Sequence, residues 1–220
     1  MIPAIHRLVR GTLAALGATA LVAFSALAAA QLQQGKDYRV LPTAQTTDAP
    51  AGKIEVLEFF GYPCPHCYAL ETPLEAWVKK LPADVVFKRV PALFNEQYAQ
   101  AGRVFYTLEA MGKLDQLHKP FFDAIHKDNL RLMSDGAVED WVKKHGVDPN
   151  EFRKVMKSFS VESRLRRAFQ MMEAYKVDSV PTIAVAGKYV ALSKGPQAYL
   201  ASVDQLIDMA RKEGKTAAAK

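Results

Sequence analysis

Residues 54–67 read Ile54-Glu55-Val56-Leu57-Glu58-Phe59-Phe60-Gly61-Tyr62-Pro63-Cys64-Pro65-His66-Cys67. The first seven are an almost continuous apolar, β-rich run stopped by Gly61, the pattern of a strand buried on both faces. Leu70, Leu74, Trp77, Val78 and Leu81 then fall on one stripe of a helix that ends before Pro82. Residues 85–90 supply a second strand. Strand, helix and strand at this spacing predict a parallel βαβ unit, with two cysteines where the first strand hands over to the helix.

Downstream of that unit, residues 95–159 carry a helical period throughout, and no strand candidate interrupts them. Val104, Phe105, Leu108 and Met111 precede Gly112, and Leu114, Leu117, Phe121, Phe122 and Ile125 make a second stripe. Ser134 or Asp135 can cap a helix holding Val138, Trp141 and Val142. Asp148-Pro149-Asn150-Glu151 combines an N-cap, a proline at the first helical position and a capping-box glutamate. A further helix over 161–175 leads to strands at 182–186 and 188–191, with Gly187 turning a hairpin between them. Pro196 opens a last helix with Leu200, Val203, Leu206, Ile207 and Ala210; residues 212–220 are a polar, alanine-rich tail expected to fray. Upstream, 31–52 is polar and broken by Pro42 and Pro50, and only 38–41 suits a short edge strand. The chain thus reads as an α/β fold with an all-helical insertion. One domain spans 31–94 and 160–214, the insert spans 95–159, and 215–220 form a flexible tail.

Residues 1–30 stand apart. His6, Arg7 and Arg10 precede an uncharged stretch from Gly11 that ends in Ala28-Ala29-Ala30, which predicts a secretory signal peptide cleaved near Ala30. The competing reading is an uncleaved anchor, against which the weakly apolar Ala and Gly content argues. The 220 residues carry 29 Lys+Arg and 23 Asp+Glu, a net +6. Loss of Arg7 and Arg10 with the leader would reduce this to +4. Half the residues are hydrophobic and 24% charged, which excludes a disordered tail, a fibrous repeat and a polytopic membrane protein. Lys79-Lys80 and Lys143-Lys144 lie on helical faces without interleaved exposed aromatics, so no nucleic-acid partner is expected.

Cys64 and Cys67 are the only cysteines. Three residues apart at a helix start, they can close a small disulfide ring or carry two thiols. Unpaired N–H groups and the helix dipole favour a thiolate at the first turn, so Cys64 is expected to be the acidic, attacking sulfur and Cys67 the resolving thiol. His66 can donate a hydrogen bond or, when protonated, a charge to that thiolate, and Pro65 sits where its missing N–H is no loss. Zinc needs about four ligands, and His118, His126 and His145 bring no second paired motif, so no metal is expected. Nothing draws Met171 or Met172 to the pair as copper would require. An inert structural disulfide stays open, although so short a loop removes little chain entropy.

The run 59–68, Phe-Phe-Gly-Tyr-Pro-Cys-Pro-His-Cys-Tyr, together with Ser179-Val180-Pro181-Thr182 more than a hundred residues later, resembles the DsbA family of periplasmic thiol:disulfide oxidants over essentially the whole chain after the leader. The resemblance implies a thioredoxin fold with an inserted helical subdomain. It also implies Cys64 as nucleophile, Cys67 as resolving thiol and Pro65-His66 as the dipeptide that tunes the couple. Pro181 would be a cis-proline, with Val180 before it, facing the disulfide and pairing with substrate. Glu58 is similar to the family's buried glutamate that assists proton transfer to the resolving thiol, and Lys88 on the neighbouring strand is a candidate partner for it. The implied setting is the periplasm and the implied state a monomer. The implied partners are unfolded exported proteins with free thiols and a DsbB-like quinone-linked membrane oxidase, with no cofactor bound by the chain itself. A disulfide isomerase or reductase, or a non-catalytic binding module with a structural disulfide, remain alternatives.

Overall fold

The structure is a computed structural model that describes residues 31–134, 136–192 and 195–218, with the side chains of 215–218 left aside. The expected leader at 1–30, its cleavage near Ala30 and the capping role offered to Asp135 lie outside the described residues. In chain order the elements are β1 (Tyr38–Val40), β2 (Ile54–Phe60), α1 (Pro65–Val78), β3 (Val85–Pro91), α2 (Glu96–Ala110), α3 (Leu114–His126), α4 (Ala137–Lys144), α5 (Pro149–Met156), α6 (Phe159–Ala174), β4 (Thr182–Val185), β5 (Tyr189–Ala191) and α7 (Pro196–Ala218).

One mixed sheet orders the strands β1-β5-β4-β2-β3. β2 and β3 run parallel, with Ile54 opposite Val85 and Glu58 opposite Arg89, while β4 pairs antiparallel with β2 on its other side. A strand with neighbours on both edges and helices on both faces has nowhere to place water, which is why β2 is apolar at nearly every position. Val56 belongs to a core shared with Leu70 and Leu74 of α1 and with Tyr199, Val203 and Leu206 of α7. Leu57 and Phe59 face the opposite way, into a second core with Phe105 of α2, Phe122 of α3, Trp141 of α4 and Leu165 of α6. The helices between β3 and β4 therefore share a hydrophobic core with the sheet, and the residues from Leu32 onward form one compact unit.

Local signals explain most boundaries. Asp148 caps α5, its carboxylate accepting the N–H groups of Asn150 and Glu151 at 2.9 and 2.7 Å. Gly187 sits at φ +66° in the β4–β5 turn, where a Cβ would meet the Gln45 carbonyl at 2.1 Å, so only glycine lets the lead-in segment lie against the hairpin. Two expectations differ from what is observed. The N-cap of α4 is Gly136, with no side-chain cap bond, so Ser134 does not fill that role. The last helix continues to Ala218 and does not give way to an irregular tail at Lys212; Glu213 is tied to Lys188 by an ion pair at 2.8 Å. Among the described residues no helix is long and apolar enough to cross a membrane.

Candidate active site

The strand-to-helix junction places Cys64 at the N-cap of α1, with extended backbone (φ −83°, ψ 118°) and its sulfur accepting the Cys67 N–H at 3.4 Å. Pro65 occupies the first helical turn, where a missing donor costs nothing. Both cysteines are free thiols, Cys64 only 5% exposed and Cys67 fully buried, while Pro65 and His66 lie open to solvent.

From the far end of the chain, the Val180 carbonyl accepts a hydrogen bond from the Cys64 sulfur at 3.3 Å, and the Val180–Pro181 peptide is cis. This loop is held from both sides. Thr182 Oγ1 donates to the Ser179 carbonyl at 2.7 Å. The hydroxyl of Tyr199 on α7 accepts the Ile183 N–H at 2.7 Å and donates to the Pro181 carbonyl at 3.3 Å. A cavity of about 450 Å³ opens beside the motif, lined by His66, Leu70, Val180, Pro181 and Tyr199 among others.

The two sulfurs sit in opposite electrostatic settings. A hydrogen bond from the Cys67 thiol is the largest influence on Cys64; with the backbone N–H groups of Cys67 and His66 and the charge of His66 it outweighs burial and lowers the Cys64 pKa from 9.0 to about 6. The imidazole charge is the smallest of these, so the helix start does more than the histidine. Burial, followed by the hydrogen bond to Cys64 and the Glu58 carboxylate, pushes the Cys67 thiol far up. The Val180 carbonyl suits a thiol at Cys64 and opposes a thiolate, since a carbonyl oxygen can only accept.

Behind the motif lies a chain of buried charged and polar groups. Glu58, 1% exposed, takes an ion pair from Arg89 at 3.1 Å, the residue opposite it in the parallel register. The candidate partner Lys88 does not reach it; Lys88 pairs with Glu55 at 3.0 Å, because one step along β3 reverses the side chain. Arg89 also bonds Glu71 at 2.8 Å, Glu71 faces His118 at 3.4 Å, and His118 Nδ1 meets the Tyr62 hydroxyl at 2.7 Å. Burial raises the Glu58 pKa to about 8, against the pull of Arg89. For Glu71 burial acts the same way, but His118 and Arg89 together overcome it and hold the carboxyl below its usual value.

The structure brings Cys64, Pro65, His66, Cys67, Val180 and Pro181 together, with Glu58 beneath them. It adds Arg89, Glu71, His118 and Tyr62, which the sequence reading did not single out. A signal existed for Glu71, four residues after Cys67 on the same helical face, and for His118, a polar residue inside the stripe Leu117, Phe121 and Phe122. Among the described residues no group of three or more His, Cys, Asp and Glu side chains is arranged to hold a metal.

Comparison with known proteins agrees with this geometry. Residues 55–204 match the model of the DSBA-like thioredoxin domain. The thiol:disulfide interchange protein DsbA of Pseudomonas syringae pv. tomato is 41% identical over 207 residues, covering 93% of this chain and 96% of that protein. The Bordetella pertussis protein of the same name is 42% identical, covering 90% and 94%. A crystal structure of Pseudomonas aeruginosa DsbA superimposes with a TM-score of 0.78 at 40% identity, over 82% of this chain and 95% of that one. A dithiol at a helix start, a thioredoxin-like sheet and kinship of this extent lead to one conclusion: the chain belongs to the DSBA-like thioredoxin family and is a disulfide oxidoreductase.

Proposed function

We propose that the protein is a periplasmic oxidase that introduces disulfide bonds into exported proteins through its Cys64-Pro65-His66-Cys67 motif. The reading is carried by the asymmetry of the two sulfurs: Cys64 is acidic at a helix N-cap, and Cys67 is buried and pushed up. An acidic Cys64 stabilises the reduced form, and each unit by which its pKa lies below 7 makes the couple more oxidising by about 30 mV.

In the forward step a substrate thiolate attacks Cys64 of the oxidised protein. The Cys64–Cys67 bond breaks, and Cys67 leaves with the electron pair and takes the proton carried by Glu58. A second substrate thiolate then attacks the substrate sulfur of the mixed disulfide, the bond to Cys64 breaks, and Cys64 departs as a thiolate. The substrate has lost two electrons and two protons; one proton replaces that of Glu58, and the other goes to solvent. A stalled mixed disulfide is cleared when Cys67 attacks Cys64 and releases the substrate reduced. Val180 and Pro181 dock the unfolded substrate by strand-like pairing with the Val180 backbone. Pro65 and His66 tune the couple. A DsbB-like quinone-linked membrane oxidase takes the two electrons and restores the disulfide. The protein acts as a monomer, after loss of residues 1–30 near Ala30.

The test equilibrates the Cys64–Cys67 couple against glutathione and probes Cys67→Ala and Cys64→Ala with thiol-bearing substrates. A potential on the oxidising side of glutathione, with mixed disulfides accumulating on Cys67→Ala and almost none on Cys64→Ala, is expected. A potential on the reducing side leaves a reductase, and the opposite trapping pattern reverses the roles of the sulfurs.

A further inference from the structure

Two buried carboxylates share one guanidinium behind the motif. Among the described residues Arg89 is the one lysine or arginine within ion-pair reach of Glu58 or Glu71, at 3.1 and 2.8 Å. With both carboxyls ionised the group would hold an uncompensated negative charge in a nearly dry interior, so one of them is driven to keep a proton. Which one keeps it decides whether a proton stands ready beneath Cys67.

His118 breaks the tie. It is 5% exposed, and its Nε2 makes no hydrogen bond among the described residues, standing 3.4 Å from Glu71 Oε1. Its Nδ1 lies 2.7 Å from the hydroxyl of Tyr62, which is itself 1% exposed and has no other polar partner among the described residues. The tyrosine hydrogen has only this nitrogen to go to, so Nδ1 accepts it. A neutral imidazole that accepts at Nδ1 carries its own hydrogen on Nε2, the nitrogen 3.4 Å from the Glu71 carboxylate. The other tautomer would turn a bare lone pair onto the carboxylate and leave the tyrosine hydrogen unmatched.

We propose that His118 is a positioning residue: by presenting Nε2–H to Glu71 it fixes the negative charge of the Glu58–Arg89–Glu71 group on Glu71 and leaves Glu58 as the carboxyl that carries the proton. This rests on the oxidase reading only for its use, since Glu58 is there the proton donor to Cys67. The groups facing His118 are Glu71 and Glu75 of α1, Arg89 of β3 and Tyr62 before α1. Those facing Glu58 are Arg89, Glu71, Cys64, Cys67, Tyr62 and, from α7, Tyr199. Burial keeps His118 below the usual histidine range, so the ring acts as a neutral donor with no charge of its own. The opposed behaviour of the carboxyls fits: Glu71 is held down while Glu58, on the same arginine, is pushed up.

The test is a carboxyl-carbon NMR titration of the reduced protein. The Glu58 midpoint is expected well above that of Glu71. His118→Phe keeps an aromatic ring against Phe60 and Phe122, whose centroids lie 5.4 and 5.2 Å away, and removes both nitrogens. The two midpoints should then converge, Glu58 falling by about one pH unit, and His118→Gln, which restores an N–H donor, should return it most of the way. An unmoved Glu58 midpoint in folded His118→Phe overturns the proposal. Should that variant not fold, imidazole-nitrogen NMR of the wild type decides: a neutral Nε2–H ring at neutral pH upholds the assignment, and an Nδ1–H ring or an imidazolium sinks it. None of these readouts involves disulfide transfer, so their failure is separable from failure of the oxidase reading, which the redox potential tests.

Discussion

At the level of single residues, the site divides into groups whose chemistry follows from chain position and groups whose chemistry follows from register. Cys64 and Cys67 are of the first kind: any helix beginning at Pro65 offers N–H groups to residue 64 and encloses residue 67, so their unequal surroundings are legible in the sequence. The relative weight of His66 is not, because the largest acidifying influence comes from the Cys67 thiol. Ultraviolet titration of the reduced protein should therefore give a thiolate midpoint near 6, and His66→Leu should raise it by less than about one unit; a midpoint near that of a free thiol would remove the basis of the oxidase reading. Arg89 and Glu71 are of the second kind. Glu58 meets Arg89 and not Lys88 because the parallel pairing sets residue 58 opposite residue 89, and that offset is written in no local pattern. Glu58 also has a pH signature. Its folded pKa of about 8 lies above the unfolded 4.5, so the folded state holds the extra proton and stability is lost as pH rises through that window. Glu58→Gln should stabilise the protein at neutral pH by roughly 1–3 kcal/mol and nearly lose that advantage below pH 4.5, as denaturant unfolding across pH would reveal.

Among elements, the strand β2, the helix α1 and the parallel β3 were legible because burial on two faces, a 3.6-residue stripe and a proline stop each leave a pattern. Less legible were ends governed by packing: α7 runs to Ala218 through a segment of weak pattern. The junction between β2 and α1 is also supported from outside. A Cβ on Gly61 would come within 2.4 Å of the Tyr98 ring on α2, and the Gly61 carbonyl accepts the Cys64 N–H at 3.0 Å. Gly61→Ala should force that ring aside and cost about 1–3 kcal/mol, with a measurable shift of the Cys64 titration; unchanged stability and titration would show the contact to be slack. In the β4 approach, Pro181→Thr should introduce an N–H and a branched side chain at the proposed docking edge for substrate backbone. Release of mixed disulfides is expected to slow in a protein that still folds, and unchanged exchange kinetics would count against Val180 and Pro181 as the docking edge.

For the whole molecule, the run of helices between β3 and β4 was readable, but the core it shares with the sheet was not, because that depends on Leu57 and Phe59 facing away from Val56 into the helices. The global stability should report the active sulfur. The Cys64 pKa is lowered from 9.0 to about 6 in the fold, so the thiolate's contribution to the reduced protein is complete above pH 9 and is lost as pH falls through 6. The stability of reduced minus oxidised protein should thus fall by about 2 kcal/mol between pH 8 and 5, allowing for solvent near the sulfur, while the short ring's closure entropy stays constant. A gap independent of pH, in paired unfolding curves of the two forms, would mean that the sulfur is not acidic. The hydrogen bond between Cys64 and Val180 spans 116 positions of chain. A ribosome delivers the chain from its N-terminus, so the dithiol emerges while the loop that covers it is still unmade. On the proposed oxidase reading, the reactive pair is during that interval itself an unfolded dithiol, the kind of molecule that the finished protein is proposed to oxidise.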